Sequence, residues 1–126
     1  MEPRFEALVV RLILDGKTEE ALEKLAEHFD VGTPRIKVGL PKGNRSKIKG
    51  CYITKNQTIR VLNGDVLKEP FTILHEFYHH LRTSPDKRHR GTEKLANKFA
   101  VEFIEASQTS EKKYTYTVTF NYGPIT

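Results

Sequence analysis

The stretch HEFYHH at positions 75–80 sets two imidazoles and a carboxylate at a spacing suited to a divalent metal. On a helix turning about 100° per residue, His75 and His79 fall roughly 40° apart and one turn along, so both rings can converge on one ion. Glu76 lies roughly 100° from His75 and 60° from His79. It borders the same face without competing for the ion, where it can take a proton from an activated water and pass it to a leaving amine. This is the HExxH pattern. A catalytic zinc takes three protein ligands and keeps one position open, so a third ligand is required downstream.

Glu93, opening the segment GTEKLANKFA, is the best candidate for that ligand. Asn97 lies one turn further on the same face, suited to accept the far-side N–H of a ligand histidine and so fix its tautomer. An acid in a first helical turn is also favoured by the helix dipole, an explanation that needs no metal. His89 is the rival third ligand or else a donor to the transition state, a role for which Tyr52 and Tyr114 also qualify. His80, roughly 140° round from His75, should face packing or the surface. The one cysteine, Cys51, excludes an intramolecular disulfide and a cysteine-based zinc site, so any metal must use histidine and carboxylate. Two histidines with a glutamate favour zinc, one ion per chain, without excluding other divalent metals.

The elements that must carry these residues follow from periodicity. Over residues 1–30, Phe5, Leu8, Val9, Leu12 and Ile13 form one helical stripe and Ala21, Leu22, Leu25, Ala26 and Phe29 a second. Gly16 and Lys17 interrupt them, with Thr18 as the expected N-cap, which gives a helical hairpin. Residues 35–62 change to a strand pattern, in which GCYIT and TIRVL flank the short turn KNQ as an antiparallel pair. Pro70 fits a first helical turn, so a helix should run from there to about Arg82 with Ile73, Leu74, Phe77, Tyr78 and Leu81 on its apolar arc. A second helix, capped by Thr92, should reach about Ala106 and complete an active-site pair over 70–106. Its small Ala96 and Ala100 would admit the first helix closely. The tail KYTYTVTFNY alternates strictly and reads as a strand over 113–122, free to join its own sheet or to pair two chains as a homodimer.

With 126 residues, the chain is expected to form one α+β domain over 1–126, helices packed on a short antiparallel or mixed sheet with HExxH on a core helix. No apolar run approaches the roughly 20 residues of a membrane helix, and MEPRFEALVV lacks the form of a signal peptide. A cytoplasmic protein with no membrane partner is the expectation. The net charge of +5 gathers in PKGNRSKIKG and DKRHRG. Such loops can meet nucleic acid but do not require it, and solvated basic loops commonly look the same.

Four segments in order resemble the ImmA/IrrE family of zinc-dependent metallopeptidase domains: the hairpin GCYITKNQTIRVLN, the helix FTILHEFYHH, a short connection, and EKLANKFAVEFI in the form E-x-x-A-N-x-F-A. They span about positions 50–104. The resemblance implies a small zincin-like fold, zinc on His75, His79 and Glu93, and Glu76 as general base. It further implies cleavage of a protein or peptide substrate, typically a transcriptional repressor in stress responses or mobile elements. Phe77 and Tyr78 stand where relatives commonly carry smaller residues such as Leu-Gly. The competing reading is a non-catalytic regulatory module that contacts protein or DNA through basic loops, with the metal structural or absent.

Overall fold

The computed structural model describes residues 2–43, 48–83 and 92–121, with side chains in the last helix described up to Thr109. His89, the segment DKRHRG, part of PKGNRSKIKG and the side chain of Tyr114 lie outside the described residues.

Helix α1 runs over Pro3–Leu14 and α2 over Thr18–Phe29, the expected hairpin. Between them Gly16 takes φ +81° while its N–H donates to the Ile13 carbonyl and that of Lys17 to the Leu12 carbonyl. This is the Schellman closure, which satisfies two carbonyls at the end of α1 and calls for a residue without a Cβ. Thr18 is the first helical residue and not the N-cap, a position Lys17 holds. Its hydroxyl donates to the Leu67 carbonyl, tying α2 to the 3-10 segment at Gly64–Lys68. On α1 the buried face is Val9, Val10, Leu12 and Ile13, and Leu8 is exposed. The helix lies between α2 and the last helix, so its buried arc is broader and rotated from a single stripe.

Strands β1 (Arg35–Val38), β2 (Gly50–Ile53) and β3 (Thr58–Val61) form a mixed sheet in the order β1-β3-β2. β3 is central, parallel to β1 and antiparallel to β2. The β2–β3 hairpin closes through a 3-10 turn at Thr54–Asn56 and Gln57 in the left-handed region. Arg60 on β3 donates through Nε to the Gly39 carbonyl at 2.6 Å, holding the chain as it leaves β1.

Helix α3 covers Pro70–Leu81 with proline in its first turn, as the sequence indicates. Ile73, Leu74 and Phe77 are fully buried against Ile13, Leu22, Leu25, Ile59 and Val61, with Phe103 from the last helix closing the core. That helix, α4, starts at Thr92 and packs on both α1 and α3. Ala96 and Ala100 are fully buried on it.

α4 does not end near Ala106 but continues to Asn121, which replaces the strand expected over 113–122 for every described position of it. Alternation favours a strand only where a neighbouring strand supplies ladder bonds. Lengthening a helix that already exists needs no new nucleus and gains one hydrogen bond per residue. Helical backbone offers no strand edge for pairing two chains. Among the described residues no helix is long and apolar enough to cross a membrane.

Placing a Cβ at Gly16 forces a side chain into a left-handed conformation. Gly16→Ala should therefore lower the urea midpoint, a loss of about 1 kcal/mol, with far-UV circular dichroism unchanged before the transition.

Candidate metal centre

The two histidines one turn apart on α3 and the carboxylate in the first turn of α4 meet where the helices pack. His75 Nε2 lies 3.2 Å from His79 Nε2 and 3.1 Å from Glu93 Oε2, and His79 Nε2 lies 2.8 Å from Glu93 Oε1. His75, His79 and Glu93 thus form a group close enough to hold a metal ion. Ligand atoms about 2.0–2.1 Å from a tetrahedral zinc stand about 3.3 Å apart; the two separations at His75 lie close to that value, and the His79–Glu93 contact is shorter and made by the other carboxylate oxygen.

Asn97 orients the first of the two imidazoles. Its Oδ1 accepts the N–H of His75 Nδ1 at 2.8 Å. With Nδ1 bonded to Asn97, His75 turns Nε2 toward the Glu93 carboxylate. Positive charge among these atoms, a proton or a metal ion, is what holds imidazole nitrogens and carboxylate oxygens within about 3 Å of one another. Asn97 itself is exposed, and Glu93 has a side chain 73% exposed, whereas the two histidine side chains are mostly covered.

Glu76 is buried beside the group, with Oε2 4.0 Å from His75 Nε2. Burial, and after it the Glu93 charge, push its carboxyl up to about 7. Strand β2 runs beside α3 at Thr72 and Glu76. A Cβ built on Gly50 of β2 would lie 2.9 Å from the Thr72 methyl, 3.3 Å from the Arg60 carbonyl oxygen and 3.6 Å from Glu76 Cγ. The absence of a side chain at Gly50 is what allows β2 to approach α3 at the catalytic candidate. Burial first, then Glu76, raise the Cys51 thiol on the same strand.

His80 turns away from the triangle and is buried, as its angle on the helix indicates. Its Nε2 lies 2.7 Å from the Gly32 carbonyl, which can only accept, so the proton is on Nε2. Nδ1 therefore accepts from the Tyr52 hydroxyl at 2.7 Å. This chain pins β2 and the segment before β1 to α3, and it directs the Tyr52 proton to His80 and not to the triangle. Burial pushes the Tyr52 phenol up to about 12.

Gly50 and the His80–Tyr52–Gly32 chain escaped the sequence reading. Their partners lie far along the chain, and no local pattern marks them. Comparison of the chain with protein-family models, curated proteins and solved structures finds no match.

Two consequences can be measured. A carboxyl with a raised native pKa favours the protonated fold, so the metal-free protein should lose stability as pH climbs from about 4.5 through 7. In EDTA, Glu76→Gln should match the parent at pH 4 and exceed it at pH 8 by up to about 3 kcal/mol in denaturant titrations. Gly50→Ala should destabilise the fold by about 1–2 kcal/mol through the Thr72 contact, read as a lowered melting temperature.

Proposed function

We propose that this chain is a zinc-dependent metallopeptidase of the ImmA/IrrE type, acting in the cytoplasm on a defined site in a regulatory, repressor-like protein. The observation that carries the reading is the mutual approach of His75 Nε2, His79 Nε2 and the Glu93 carboxylate, with Glu76 buried alongside. The ordered resemblance of the hairpin, the HExxH helix and EKLANKFAVEFI supports the family and, through it, the class of substrate.

His75 and His79 would hold the ion through Nε2 and Glu93 through its carboxylate. Bound zinc supplies Lewis-acid activation of water and of a scissile carbonyl. Asn97 keeps His75 in the tautomer that leaves Nε2 unprotonated. Glu76 takes a proton from the attacking water and returns it to the departing amine. A buried carboxyl at about 7 suits both halves of that transfer near neutral pH, and positive charge at the triangle draws it lower, toward the ionised base. β2 is an edge strand beside α3, and this supports docking of an extended peptide as a further strand next to Glu76.

Purified without added metal, the parent should carry about one zinc per chain by elemental mass spectrometry, and Glu93→Ala should lose most of it. Glu76→Gln should keep the zinc while cleavage of a repressor-like substrate falls by about 100-fold or more. Cleavage by Glu76→Gln at the parent's rate would overturn the peptidase, and a parent that fails to take up zinc on titration would overturn the metal centre.

A further inference from the structure

The first turn of α3 carries an aromatic ring that stands outside the core cluster and beside the metal triangle. Phe71 stands four residues before His75, on the helix stripe that continues to His79. Its ring lies 6.0 Å from the His75 imidazole, inclined by 32°. The described phenylalanines Phe5, Phe29, Phe77, Phe99 and Phe103 all belong to the core or pack against it, whereas Phe71 is 41% exposed.

An exposed aromatic is by itself ordinary. Its place is what distinguishes Phe71. α3 already buries Ile73, Leu74 and Phe77, so nothing in the packing of this helix calls for a phenyl ring on the ligand side. The neighbouring Glu69 is paired with Lys49 at 3.1 Å, and Thr72 turns to Gly50. The surface beside His75 toward the start of α3 is therefore an apolar ring flanked by a neutralised ion pair. One helical turn is about 5.4 Å and successive residues of an extended peptide repeat about every 3.3 Å. An extended chain with its carbonyl at the triangle, running toward the start of α3, would bring a side chain one or two residues away over this ring.

We propose that Phe71 is a specificity-determining residue whose exposed face receives an apolar side chain, of leucine or phenylalanine size, flanking the scissile bond. The inference rests on the metallopeptidase reading and adds its substrate class. An apolar side chain laid on Phe71 removes both surfaces from water, whereas a charged one would lose hydration there with no partner.

The test uses binding to the zinc-loaded full chain, so it does not depend on turnover. Acetohydroxamate and 3-phenylpropanohydroxamate share one zinc-chelating group and differ in the apolar arm. Calorimetric titration of the parent should give at least about tenfold tighter binding of the aryl compound. Phe71→Ser should reduce the ratio below about threefold, and Phe71→Leu should restore most of it. Zinc content is measured in each protein. Equal ratios in the parent and Phe71→Ser, or loss of zinc from Phe71→Ser, would overturn the subsite alone. A parent that takes up no zinc would overturn the metallopeptidase reading and the subsite with it.

Discussion

The hydrogen bond between His75 Nδ1 and Asn97 Oδ1 joins the two helices on which the site depends. α4 packs on both α1 and α3, and Ala96 and Ala100 are fully buried on it between Glu93, Asn97 and the rest of the helix. The bond also orients the imidazole, so that Nε2 faces His79 and Glu93. Helix packing and the direction of the ring meet in one contact.

A second set of constraints fixes the sheet edge. β2 lies close to α3 because Gly50 has no side chain, and it is held there by the Tyr52 hydroxyl on His80. Consecutive histidines thus have opposed duties: His79 belongs to the triangle, and His80 is buried and bonded to Tyr52 and Gly32. Two adjacent positions on a helix are about 100° apart, enough to put one on the site face and the other on the packing face.

The sequence was most legible where geometry is periodic or chemistry is restrictive. His75, Glu76 and His79 could be placed because a shared ion demands set residue types at one-turn spacing, and the apolar arc of α3 because burial follows the helical period. The β2–β3 hairpin was readable from alternation around KNQ. Errors arose where neighbours and not local pattern decide. Residues 113–121 alternate as a strand would, yet adopt helix as the continuation of α4. Leu8 fits the α1 stripe but is exposed, since α1 is buried from two directions. Thr18 has the side chain of a cap, but a carbonyl 49 residues away takes its hydroxyl.

The three donors are not held equally. His75 and His79 rise from a helix embedded in the core, while Glu93 stands on the first turn of α4 with most of its side chain in solvent. First turns fray more readily than helix interiors. An ion would meet the imidazoles first and be closed in by Glu93 last, and it would leave in the reverse order. The exchange rate of a bound metal would then be governed by the opening of a single helical turn, and the lifetime of a loaded state would be tunable at the start of α4 without altering either histidine.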